Sequence, residues 1–139
     1  MGSMQKIKAM KDIITSEKPD ILMLQETKEN EKEMETMIRK TKNCQGTSIP
    51  TTRALGAICT LWKTKNWEFI QQKEELHWIK IEMENKKTKV KYCIINIYAS
   101  NHYRDMKVYW STLKNHLMQD QNIGIIIVGD LNLVWKIQR

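Results

Sequence analysis

A chain of 139 residues suits one domain, and 41% hydrophobic with 28% charged residues allows both a core and a soluble surface. No run approaches the roughly 20 apolar residues that span a bilayer and no signal peptide opens the sequence, so no membrane partner is expected. Lys and Arg outnumber Asp and Glu by 23 to 16, and the resulting +7 favours an acidic partner such as nucleic acid.

Met1-Gly2-Ser3 ahead of a second Met reads as an expression remnant, which makes residues 4–139 the expected domain. From Met4 to Ser16, Ile7, Met10, Ile13 and Ile14 recur at helical spacing, and Pro19 ends the register. Ile21-Leu22-Met23-Leu24 is a short apolar run, hence a buried strand, and it closes on Gln25-Glu26-Thr27. Met34, Met37, Ile38 and Thr41 make a narrow stripe between Glu29 and Lys42, a surface helix supported by charge pairs.

Residues 43–56, with Gly46, Pro50 and Gly56, have loop composition. Four strands are predicted next: Ala57–Trp62, Trp67–Gln72, Leu76–Glu84 and Val90–Ala99. Their close succession implies antiparallel hairpins. In the third, Leu76, Trp78, Ile79, Ile81 and Met83 compete for the inner face. Arg104–Gln119 carries Met106, Tyr109, Trp110, Leu113 and Leu117 on one helical face. Ile125 to Val128 is unbroken β-branched sequence, read as a strand buried on both faces, and it runs into Gly129-Asp130-Leu131-Asn132. Gly-Asp-Leu-Asn is also good turn sequence. The order α-β-α-β-β-β-β-α-β predicts an α/β fold with a mixed sheet and flanking helices.

Cys44, Cys59 and Cys93 are odd in number and lack CxxC spacing, so neither zinc nor a disulfide framework is expected. Cys59 and Cys93 sit in apolar runs and should pack as small hydrophobes in a reducing, intracellular setting. Lys86, Lys87, Lys89 and Lys91 form the densest basic cluster. They suit phosphate contacts, and equally a charged turn beside an edge strand.

Three apolar strands thus end in polar groups, at Gln25-Glu26-Thr27, Asn96-Ile97-Tyr98 and Gly129-Asp130-Leu131-Asn132. If the strands are neighbours, Glu26, Asn96 or Tyr98, Asp130 and Asn132 share one rim. Two carboxylates with carboxamides and no Cys or His cluster suit a hard cation, Mg²⁺ or Mn²⁺, that polarises a phosphoryl oxygen.

In this order and spacing, the segment Lys18 to Lys28, the Ile95-Asn96-Ile97-Tyr98 strand and the Gly129-Asp130-Leu131-Asn132 motif resemble the endonuclease/exonuclease/phosphatase superfamily. The likeness is greatest to the apurinic/apyrimidinic-endonuclease-like domain of plant LINE-type retrotransposons, and Thr51 to Trp62 is similar to that group's middle segment. The resemblance runs from Lys6 to about Val134 and implies an α/β sandwich that cleaves DNA with Mg²⁺ or Mn²⁺. It implies Glu26 and Asp130 as metal ligands, and Tyr98 near the scissile phosphate. Asp130 would also orient or activate the attacking water, and Asn132 would bind phosphate or stabilise the transition state. Arg53, Lys86, Lys87 and Lys89 are the candidate nucleic-acid contacts.

Members of that family also carry an Asn on a preceding strand and a later Ser-Asp-His segment. His77, His102 and His116 lie in no such motif, and Ala99 stands where Pro is usual. The expectation is a domain truncated at both ends, mostly one sheet, with impaired catalysis. Its orphaned apolar face would pair two copies as a homodimer. A non-catalytic remnant that binds nucleic acid or protein is the other expectation.

Overall fold

The computed structural model describes residues 2–25, 31–50, 57–75, 78–98, 107, 108, 110–112, 114, 115 and 123–130. Helix α1 (Gly2–Glu17) turns Met10 and Ile14 inward and leaves Ile13 exposed. It stops where Lys18 adopts a left-handed φ of 48° and Pro19 bars continuation. Strand β1 (Ile21–Leu24) follows, then helix α2 (Glu31–Lys40), which buries Met34 and Met37. Arg39 and Lys40 sit in the last turn of α2, where cations suit the helix dipole, and Asn43 closes the connection at φ 62°.

Five more strands were expected to hold the rest, and six are present: β2 (Cys44–Pro50), β3 (Ala57–Lys63), β4 (Trp67–Glu75), β5 (Trp78–Asn85), β6 (Lys91–Tyr98) and β7 (Gly124–Asp130). The additional strand, β2, occupies sequence with loop composition. Gly46 is there because a Cβ would stand 2.8 Å from the Thr60 carbonyl oxygen of the paired strand. Pro50 is tolerated because β2 lies at a sheet edge. Residues 107, 108, 110–112, 114 and 115 are helical, within the helix predicted there.

The strands divide between two sheets. One has the order β1-β3-β2, all antiparallel; the other has the order β4-β5-β6-β7, antiparallel except for the parallel β6–β7 pair. A parallel neighbour needs a crossover, and the helical residues between 107 and 115 lie on it. The predicted α/β class with a mixed, mostly antiparallel arrangement and flanking helices is what the chain forms. The expectation of a single sheet with an orphaned inner face is overturned. Ile49, Ile58 and Trp62 of the first sheet close against Trp67, Ile79, Ile81, Met83 and Ile94 of the second. Trp62 stacks on Phe69, and Trp67 meets Tyr92 edge-on, each pair with ring centroids 5.7 Å apart.

Strand β5 resolves its competing residues by alternation, with Lys80, Glu82 and Glu84 only partly buried on the outward face. Ile79, Ile81 and Met83 point between the sheets, while Trp78 packs outward with Cys93, Ile95 and Ile97 near Trp110 and Ile123. On the far side, Cys59 and Leu61 receive α1 and α2 through Met10, Met34 and Met37. Burial pushes the Cys59 thiol up to about 12, so it stays protonated and packs as a small hydrophobe, as Cys93 also does.

One strand departs from its pattern. The β-branched run of β7 was expected to be buried on both faces, yet Ile125, Ile126, Ile127 and Val128 are each 39–43% exposed. Among the described residues β7 is the last strand of its sheet, paired on one side only. An apolar run without alternation therefore does not by itself guarantee burial.

The sandwich core makes a direct prediction. Ile81→Ala, at a fully buried position between the sheets, should cost about 2–5 kcal/mol. Ile13→Ala, on the exposed side of α1, should change stability by about 0.5 kcal/mol or less. Urea unfolding of both variants checks this, and equal losses would contradict the packing.

Candidate functional site

Strand β6 carries one polar residue in its buried stretch, Asn96, which is fully inaccessible. A buried carboxamide is costly unless paired. Asn96 Nδ2 donates to the Cys59 carbonyl oxygen at 2.9 Å and Thr60 Oγ1 at 3.2 Å, with the Leu24 carbonyl oxygen at 3.5 Å. Its Oδ1 accepts from Gln25 Nε2 at 3.0 Å. One side chain of the second sheet thereby grips β1 and β3 of the first. The sequence reasoning placed Asn96 on the rim as an alternative to Tyr98; the structure turns it inward, as a fastener between the sheets.

Gln25, immediately after β1, extends the link. Its Nε2 also donates to the Ile97 carbonyl oxygen at 2.5 Å. That contact lies against Gly129, which pairs with Ile97 in the parallel register. Gly129 has φ +154°, and a Cβ there would fall on the Ile97 carbonyl oxygen and stand 2.5 Å from Gln25 Nε2. Only glycine leaves room for the three segments to meet. Gln25, Ile97 and Gly129 are therefore in mutual contact, and each directly precedes a residue singled out in the sequence: Glu26, Tyr98 and Asp130.

Tyr98 and Asp130 are partners in the β6–β7 register, so their backbones are neighbours at about 4.8 Å. Tyr98 is half-buried and packs at the margin of the inter-sheet core. Glu26, Arg53 and Asn132 lie outside the described residues, and Asp130 is described in its backbone alone. Among the described residues no three of His, Cys, Asp and Glu gather into a metal-binding group. Lys86, Lys87 and Lys89 are exposed on the turn between β5 and β6. That turn is at the opposite end of β6 from Tyr98, about 23 Å away over seven strand residues.

Sequence reasoning assigned no role to Gln25 or Gly129, and it put Asn96 on the rim rather than between the sheets. The available signal was a lone polar residue among Cys93, Ile94, Ile95 and Ile97, since a buried polar side chain must find partners.

The geometry meets its match among known proteins. Residues 1–136 match the model of the Endonuclease/Exonuclease/phosphatase family. The chain belongs to that family. Solved structures of the same fold include the human nocturnin catalytic domain with bound sulfate, at 17% identity and TM-score 0.71, covering 94% of this chain and 57% of that one. Another is the Bacteroides thetaiotaomicron mannosyl-6-phosphatase Bt3783, at 12% identity and TM-score 0.72, covering 94% and 57%. D. rerio TDP2 complexed with a single-strand DNA product has 10% identity and TM-score 0.74, covering 96% and 56%. This chain thus spans little more than half the length of these endonuclease/exonuclease/phosphatase-fold structures. No curated protein sequence matches it.

Removing the fastener tests its role. Asn96→Ala should leave the Cys59 carbonyl, Thr60 hydroxyl and Gln25 amide short of a partner, at about 1–3 kcal/mol for each group left unpaired. Amide hydrogen exchange should rise first at Leu24 and Gln25, ahead of β5. Protection retained there at unchanged stability would contradict the inter-sheet link.

Proposed function

We propose that the chain is a metal-dependent phosphodiesterase domain of the retrotransposon endonuclease type, acting on DNA. The observation that supports it is the contact of Gln25, Ile97 and Gly129, which brings the backbones leading into residues 26, 98 and 130 together. Glu26 and Asp130 offer hard carboxylate oxygens, the donor type that Mg²⁺ and Mn²⁺ take together with water and phosphate. A divalent ion bound there would supply charge to polarise a phosphoryl oxygen.

The chain's own residues then have distinct roles. Tyr98 lies beside the scissile phosphate, its phenol within the rim. The Asp130 carboxylate orients the attacking water, and Asn132 donates its amide N–H to a phosphate oxygen. Arg53 is a further phosphate contact. The resemblance assigns an acid/base role to a Ser-Asp-His segment in which none of His77, His102 and His116 takes part. Loss of such a partner costs about 10²–10⁴-fold, so these 139 residues alone should turn over slowly.

Supercoiled plasmid with Mg²⁺ is the test. Slow nicking is expected, abolished by chelation and reduced at least about tenfold in both Glu26→Ala and Asp130→Ala. Nicking unchanged in both variants would overturn the assignment.

A second reading is a non-catalytic homodimer that binds nucleic acid, and the exposed run of β7 favours it. With the inter-sheet face already filled, β7 carries the longest exposed apolar run among the described residues, a surface for a second copy. Light scattering at micromolar concentration should then give a dimer that Ile126→Lys converts to monomer. Absence of nicking together with salt-sensitive DNA retention belongs to this reading. A monomeric wild-type chain speaks against the dimer.

A further inference from the structure

At the end of the strands away from Tyr98, four connections come together. They are residues 18–20 before β1, 41–43 before β2, 64–66 between β3 and β4, and 86–90 between β5 and β6. Hydrogen bonds sew them into one platform. Lys63 N donates to the Asp20 carbonyl at 3.0 Å, Thr64 N to the Asn43 carbonyl at 3.1 Å, and Lys86 N to the Asn66 carbonyl at 2.9 Å. Asn66 Nδ2 donates to the Asp20 carboxylate at 2.7 Å, and Lys86 Nζ to the Thr64 carbonyl at 2.6 Å. The Asn85 side chain accepts from the backbone N–H groups of Lys87 and Thr88, fixing the last turn.

This platform carries an uneven charge. Lys18, Lys42, Lys63, Lys65, Lys86, Lys87, Lys89 and Lys91 stand on it or at its margin, against Glu17, Asp20, Glu68 and Glu84. All of these lysines are exposed except Lys63, which is half-buried. None of the eight is in an ion pair among the described residues. Asp20 is occupied by Asn66, and Lys86 by a carbonyl. Half or more of the chain's surplus positive charge is thus concentrated on a rigid surface, about 23 Å from the rim that carries Tyr98 and Asp130.

We propose that this pole is a nucleic-acid backbone site separate from the catalytic rim. It holds a stretch of phosphates away from the one at the rim, and so tethers the substrate without entering its chemistry. The chemistry favours nucleic acid over an anionic membrane surface. Val90 is the one exposed large apolar residue among the described residues of these connections, so the pole has little to insert into lipid. A row of exposed ammonium groups suits a polyphosphate, whose contacts are point charges that release counterions. The proposal deepens the DNA-directed reading, but its binding requires neither metal nor the rim carboxylates.

The test is fluorescence anisotropy of a labelled 30-base-pair duplex against NaCl, in EDTA. Two variants carry the same change in charge: Lys65→Gln/Lys87→Gln/Lys89→Gln at the pole, and Lys8→Gln/Lys11→Gln/Lys32→Gln on the exposed sides of α1 and α2. Among the described residues none of these six side chains makes a hydrogen bond, and circular dichroism melts should match wild type. The pole variant should weaken binding at least about tenfold and flatten the log K against log salt slope by about 2–3. The helix variant should bind within about twofold of wild type and keep the slope. Equal weakening in both, no wild-type binding, or capture by phosphatidylserine vesicles with none by duplex would overturn the proposal. Because the assay contains no metal, failure of nicking leaves its outcome unaffected, and the reverse also holds.

Discussion

Asn96 sits where the two sheets touch, and its carboxamide is satisfied by groups from two other segments, the end of β1 and the middle of β3. A hydrophobic sandwich alone has little directional preference, because apolar contacts are non-directional. Ile58, Ile81 and Ile94 could slide past one another at modest cost. A fully buried amide whose donors and acceptors are all used admits one alignment, since any slip leaves polar groups unpaired. That alignment is what delivers the end of β1 to the ends of β6 and β7.

The consequence for the rim is geometric. Gln25 reaches from β1 to the Ile97 carbonyl oxygen, and Gly129 gives way by having no side chain. Tyr98 and Asp130 follow directly and remain paired in the β6–β7 register. The basic turns lie at the other pole, about 23 Å from Tyr98 along β6.

Much of this was legible in the sequence, for identifiable reasons. Residues 21–24 and 125–128 are apolar runs cut off by Gln-Glu-Thr and Gly-Asp-Leu-Asn, and that abrupt change in polarity located two of the three strand ends. The helical spacing of Met10 and Ile14, and of Met34, Met37 and Ile38, located α1 and α2. Strand β2 was hidden because Gly46 and Pro50 are loop residues by composition, and only close approach to Thr60 and an edge position explain them. The division into two sheets was hidden because β6 buries residues on both faces, which erases there the alternation that would assign an inner side. The exposure of β7 was hidden because its residues match a central strand, and its edge position among the described residues depends on the strand order rather than on its own sequence.

The account stands or falls on whether the junction of β1, β6 and β7 presents a divalent-ion site. Titration of Mn²⁺ into isotope-labelled protein, followed by amide NMR line widths, reads this directly. Paramagnetic broadening should concentrate on Gln25, Ile97 and Gly129, spare the amides of Lys87 and Thr88 at the far pole, and disappear with Glu26→Gln. Broadening centred elsewhere, or unaltered by that substitution, would contradict the account.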